Sequence, residues 1–143
     1  MMNDNLNQDY SKIVYSIIGA AYNVHSEMKW GLAEAIYEEA LCVELGERGI
    51  EAVEQQELSV YYKGILLKKR YRMDIVVENE IIVELKTTDG ILPEHRAQLF
   101  NYMRLTKKTI GLLINFGKSV EVEKYRYDED TNEIMFYNNP SKL

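Results

Sequence analysis

An α/β sandwich around a mixed β-sheet is the fold this sequence predicts. Three observations carry that expectation: two stretches of helical periodicity open the chain, a meander of strand-like runs follows, and a further helix precedes a last group of strands. From about Tyr10 to Met28, Ile13, Ile17, Ala20, Ala21 and Val24 recur at spacings of three and four, so a helix turns one apolar face to the sheet. Gly31 precedes a second periodic stretch, Leu32 to about Leu45, closed by Gly46 and Gly49. Residues 51–62 alternate loosely through Leu58, Val60 and Tyr62, and Gly64 marks a turn. The runs 65–72, 73–77 and 81–87 then read as strands rich in Ile, Val, Leu and Tyr. Pro93 and Glu94 open a third helix to about Leu105. Strands at Thr109–Asn115 and Val120–Tyr127 and a short one near Ile134–Tyr137 complete the order. With no repeat and no low-complexity linker, one domain over residues 1–143 is expected.

Composition narrows the class. An apolar fraction of 46% with only two prolines belongs to an ordered globular chain. No apolar run approaches the roughly 18 residues that span a bilayer, and the polar start lacks a secretory pattern, so a cytoplasmic protein without membrane attachment is expected. Cys42, the one cysteine, can neither pair internally nor supply an all-cysteine metal site, and its apolar helical surroundings point to core packing. The net charge of −6 works against indiscriminate binding of nucleic acid, which needs Lys and Arg to neutralise phosphates. Residues 63–108 nevertheless hold ten basic and six acidic side chains, a local balance of +4. The densest runs, Lys68-Lys69-Arg70-Tyr71-Arg72 and Arg104 to Lys108, flank the candidate catalytic residues, with ordinary solvated faces as the competing reading.

The chemistry concentrates between Asp74 and Lys86. Ile75, Val77, Ile81, Val83 and Leu85 form one continuous apolar face across two strands joined at Glu78-Asn79-Glu80, so Asp74, Glu84 and Lys86 share the opposite face. Asn79 suits a left-handed turn position, which would bring Asp74 directly across from Glu84. Two carboxylates that close are unfavourable unless one takes a proton or a cation lies between them, so the arrangement suits a hard divalent ion with oxygen ligands. Lys86 would reach the same place and could orient a water or offset charge on a phosphate. The competing reading is an exposed charged strand; Val76 and Ile82 on the same face argue that it is partly covered. On the third helix, Gln98 and Tyr102 are spaced i, i+4 and share one face.

Asp74, Glu84-Leu85-Lys86 and Gln98 to Tyr102, in that order and spacing, resemble the RecB-like branch of PD-(D/E)XK nucleases. Upstream, Gly31, Glu34 and Tyr37 resemble the motif of the GxxExxY proteins within that superfamily, and the likeness spans roughly residues 10–127. It implies the restriction-endonuclease-like sandwich, a central mixed β-sheet flanked by helices. It further implies that Asp74 and Glu84 bind magnesium or manganese with the backbone carbonyl of Leu85, that Glu34 contacts the metal, and that Lys86 assists the attacking water. Gln98 and Tyr102 would engage nucleic acid near the cut. Read as N3 of a helix capped at Gly31, Glu34 has capping and the helix dipole as its competing explanation. His25 is similar to a histidine metal ligand of some RecB-like nucleases, and a helix-end histidine bonded to a carbonyl is the even alternative. His95 is expected to be structural or exposed, and Arg96 and Arg104 solvated. Met73 stands where the superfamily's namesake motif has proline.

The function these residues imply is metal-dependent hydrolysis of a DNA or RNA phosphodiester, with nucleic acid as partner and a homodimer or protein partner left open. The alternative is a catalytically silent nuclease-fold module that binds a protein or nucleic acid, using the acidic stretches around 34–57 or 121–133. An enzyme active only within a larger assembly is the third option.

Overall fold

Strand pairing determines where a site can form. In the computed structural model residues 2–137 are described, with side chains from Tyr10 onward. Six strands form one sheet in chain order: β1 (Ala52–Tyr62), β2 (Ile65–Val77), β3 (Ile81–Lys86), β4 (Ile110–Phe116), β5 (Val120–Asp128) and β6 (Glu133–Phe136). β3 and β4 are parallel and the other neighbours antiparallel, so the sheet is mixed. A parallel pair needs a crossover, and α3 (Pro93–Thr106) provides it. Two helices, α1 (Met2–Met28) and α2 (Glu34–Glu47), precede the sheet.

Alternation along the strands divides the core into two layers. Ile75, Val77, Ile81, Val83 and Leu85 are buried together with Val14, Ile17, Ala21 and Val24 of α1 and Tyr37, Leu41 and Leu45 of α2. Their opposite-facing neighbours Val76 and Ile82 pack with Leu113 under Leu99, Tyr102 and Met103 of α3. The expected apolar face is therefore present, and the face that carries the charges is covered by a helix. Each buried branched aliphatic adds about 1.5–3 kcal/mol of burial free energy, which holds both layers to the sheet. Cys42 packs against the first layer. Gly111 allows α3 its close seat: a Cβ there would fall 2.5 Å from Met103 Sδ and 3.0 Å from Leu99 Cδ1.

Three boundaries differ from the sequence reading. The runs 65–72 and 73–77 are one strand of 13 residues. α1 begins at Met2, ahead of the apolar periodicity that starts near Tyr10. α2 begins at Glu34, later than Leu32, because the preceding loop is pinned from inside. The buried Tyr37 stacks on Phe116 at 4.7 Å between ring centroids, and its hydroxyl donates to the Lys29 carbonyl and accepts from Leu32 N–H at 3.2 Å. Gly31 takes a φ of 99°, a conformation that glycine adopts without strain.

Candidate active site

The β2–β3 turn sets the register. Glu78 and Asn79 both take left-handed backbone angles, and Ile75 pairs with Val83 and Val76 with Ile82, which brings Asp74 opposite Glu84. There the carboxylates take over from the backbone ladder. The Asp74 N–H donates to Glu84 Oε2 at 2.7 Å, and the Leu85 N–H donates to Asp74 Oδ2 at 2.8 Å. In an extended strand a residue's N–H and C=O point to the same edge, so the Leu85 carbonyl also faces β2.

On the other side of Asp74, Glu54 pairs with Ile75 and Gln56 with Met73, while Gln55 between them has a φ of 52°. That left-handed backbone costs a non-glycine residue on the order of 1 kcal/mol. Gln55 Nε2 donates to Glu38 Oε1 of α2 at 2.8 Å, and the side chain also hydrogen-bonds Asp74, favouring its ionised form. Glu34, one turn before Glu38, is half-buried and close enough to feel both Asp74 and Lys86. It stands at the first helical position after Ala33, not at N3, so the capping-box explanation lacks its geometry.

The far wall is α3. Lys86 Nζ donates to Gln98 Oε1 at 2.8 Å, and Gln98 Nε2 donates to the Tyr102 hydroxyl at 3.1 Å. Gln98 is exposed, whereas Tyr102 is 3% exposed and stands behind it. Tyr102 in turn meets the edge of Tyr71 on β2 at 5.7 Å.

Burial and mutual repulsion dominate the electrostatics. Glu84, 1% exposed, is pushed up to about 8, first by desolvation and then by the Asp74 charge, against the pull of the Asp74 amide and Lys86. Desolvation also raises Asp74, opposed by the Leu85 amide and Lys86. Glu34 is raised by burial and by Asp74. Tyr102 is raised by burial and by the Glu84 charge. Lys86 is thus the near cation for a group of carboxylates that resist ionising together, which is the state expected of a site built to receive positive charge.

His25 Nε2–H donates to the Gly117 carbonyl just beyond β4 at 2.9 Å, the helix-end arrangement. His95 is buried, and its Nδ1 accepts the Leu92 N–H at 3.0 Å, so it caps α3. Arg96 is not a lone solvated charge, because Glu123 holds it in two bonds of 2.7 and 2.8 Å. Arg104 donates to the Asn132 carbonyl at 3.2 Å.

The sequence profile of the PD-(D/E)XK nuclease superfamily matches residues 11–127. The chain belongs to that superfamily. A search of curated proteins gives no match. Among solved structures, one described as the crystal structure of SSO0001 is similar at 26% identity with a TM-score of 0.51. The match covers 68% of this chain and 53% of that one, so this chain corresponds to about half of its structural relative. Asp74, Glu84, Lys86 and the helix bearing Gln98 thus sit on a mixed sheet flanked by helices, as the PD-(D/E)XK fold requires.

Among the described residues no three His, Cys, Asp or Glu side chains form a metal cage by themselves. The donors present still suit a divalent ion of the magnesium type, which commonly takes one or two carboxylates and completes its shell with waters and substrate oxygens. Asp74 and Glu84 each engage a backbone amide through one oxygen, and the Gln55 side chain also bonds Asp74, so both carboxylates are oriented by the chain itself.

Two neighbours of the site were not anticipated. Glu38 is buried and pushed up to about 7 by desolvation, and its spacing from Glu34 on one face of α2 was the available signal. Asn115, fully buried, accepts the Thr88 N–H at 2.9 Å and donates to the Thr88 carbonyl at 2.8 Å, fixing the loop that follows Lys86. A lone asparagine within Ile110–Phe116 was its signal.

Proposed function

We propose that this chain is a metal-dependent nuclease that hydrolyses DNA or RNA phosphodiester bonds. The observation that carries the reading is the Asp74–Glu84 pair, held side by side through backbone amides, largely desolvated, and compensated nearby by a single lysine. Asp74, Glu84 and the Leu85 carbonyl would hold magnesium or manganese, with Glu34 as an outer contact. A divalent ion there would supply electrostatic stabilisation of the phosphate and lower the pKa of a coordinated water.

The chain's own groups account for the remaining chemistry. Lys86 is fixed by Gln98 and can orient the attacking water or offset charge growing on the phosphate oxygens. Gln98, exposed, contacts the nucleic acid, and Tyr102 supports it from behind. The segment Gly31–Tyr37 supports membership of the GxxExxY group, and Gln98 with Tyr102 supports the RecB-like branch. The working unit is taken as one domain over residues 1–143, acting in the cytoplasm.

The deciding experiment offers single- and double-stranded DNA and RNA to the pure protein with magnesium or manganese. Cleavage that disappears in Lys86→Ala is expected. Metal-independent cleavage, or none on any substrate, would move the assignment to a silent binding module.

A further inference from the structure

The β1–β2 hairpin runs well past the site. β3 ends at Lys86, but β2 continues from Asp74 back to Ile65 with β1 beside it, so the outer hairpin is a two-stranded arm. Every residue from Tyr61 to Arg70 is exposed. Isolated two-stranded hairpins are marginal in water, yet this one displays Tyr61, Tyr62 and Ile65 at 63, 60 and 66% exposure. Such side chains on an arm without a core of its own point to a ligand that covers them.

Charge defines that ligand. Between Tyr61 and Arg72 the cations are Lys63, Lys68, Lys69, Arg70 and Arg72, and the stretch itself contains no carboxylate; Glu57 of β1, opposite Arg72, meets Arg70 at 3.6 Å, which leaves the three lysines as the main positive charge of the arm. Lys63 Nζ lies 5.4 Å from the Tyr62 ring centre and Lys69 Nζ 5.3 Å from that of Tyr71, so cations and rings stand side by side along the arm. The arm's root adjoins the site: Lys86 bonds Gln98, Gln98 bonds the buried Tyr102, and Tyr102 meets Tyr71 where the arm leaves the sheet.

We propose that residues 61–72 form a binding surface for single-stranded nucleic acid, gripping the strand that continues from the phosphate at Lys86. The proposal rests on the nucleic-acid reading of the site and adds the strandedness of its substrate. Tyr61 and Tyr62 are consecutive in β1 and face opposite sides of the arm, so a strand that wraps the arm finds a ring for an unpaired base on either side while lysines and arginines neutralise its phosphates. Stacking accepts every base and phosphate neutralisation reads none, so the grip is expected to depend little on sequence. A duplex hides its base faces and would leave both tyrosines without stacking partners.

The test is fluorescence anisotropy in EDTA, so that binding is read without cleavage, using labelled oligothymidylate and a duplex of the same length. Wild type should prefer the single strand. Replacing Lys63, Lys68 and Lys69 together by Gln should weaken single-strand binding at least about tenfold and lower the salt slope by about 2, at roughly 0.7 per phosphate contact. Tyr61→Ala with Tyr62→Ala should weaken it comparably without changing that slope, and circular dichroism of both variants should match wild type. Equal affinity for the duplex, or arm variants that bind the single strand like wild type, would overturn the proposal. So would variants that alter only sedimentation, which would assign the arm to a second copy of the chain. Failure of the nuclease reading is recognised separately, as absence of Lys86-dependent cleavage while arm-dependent binding persists.

Discussion

Asp74 and Glu84 are held together by each other's strands: the Asp74 amide bonds the Glu84 carboxylate, and the Leu85 amide bonds that of Asp74. Backbone dipoles thus stabilise two acids that burial and mutual repulsion both push toward the protonated form.

Metal-free stability should therefore fall with rising pH in a way that depends on Glu84. Its folded pKa, about 8, lies above the ordinary 4.5, so protonated Glu84 favours the fold fully below the ordinary value and that advantage is lost as pH rises through 8. Urea melts in EDTA should show wild type losing on the order of 2 kcal/mol relative to Glu84→Gln between pH 6 and pH 9. Parallel curves for the two proteins would mean that Glu84 ionises freely.

Millimolar magnesium or manganese should raise the melting temperature of wild type and of Lys86→Ala, but not of Glu84→Gln. Because the ion must displace a proton from Glu84, the rise should shrink as pH drops from 8 to 6. A metal response retained in Glu84→Gln would place the ion elsewhere.

The loop before α2 supplies a third expectation. Tyr37→Phe keeps the stack on Phe116 but removes the hydroxyl that serves both Lys29 and Leu32, at a cost of about 1–2 kcal/mol. If Glu34 depends on that loop, the variant should also need more metal for half-maximal cleavage. Chemical denaturation and metal titration of one preparation read both effects.

Gly111→Ala tests the seat of α3. The added methyl meets Met103 and Leu99, so a loss of about 1–3 kcal/mol is expected from overpacking. Met103→Ala in the same chain should recover part of it, since it removes the sulfur in the way; the double-mutant cycle would then give a favourable coupling.

The face carrying Asp74 and Glu84 was legible because strand side chains alternate with a period of two and the apolar set from Ile75 to Leu85 was unbroken. The shared face of Gln98 and Tyr102 was legible from helical spacing: Gln98 bonds Lys86, and Tyr102 bonds Gln98 from behind. What escaped depends on partners distant in sequence or on backbone detail. Gln55 adopts its left-handed conformation inside a strand with no glycine or turn to announce it. Glu123 captures Arg96 from 27 residues away, across a crossover whose geometry only the folded sheet defines. The start of α2 was misplaced because the Tyr37 hydroxyl, not local propensity, decides where the loop ends.

The exchange between amides and carboxylates also makes the site self-reporting. Two backbone protons, on Asp74 and Leu85, bond directly to the two acids whose ionisation matters. Their resonances in a nitrogen–proton correlation spectrum should move with Glu84 and Asp74 as pH or metal changes, site by site and without a substrate. In this fold the charge state of the centre is written into the chain itself, where a spectroscopist can follow it directly.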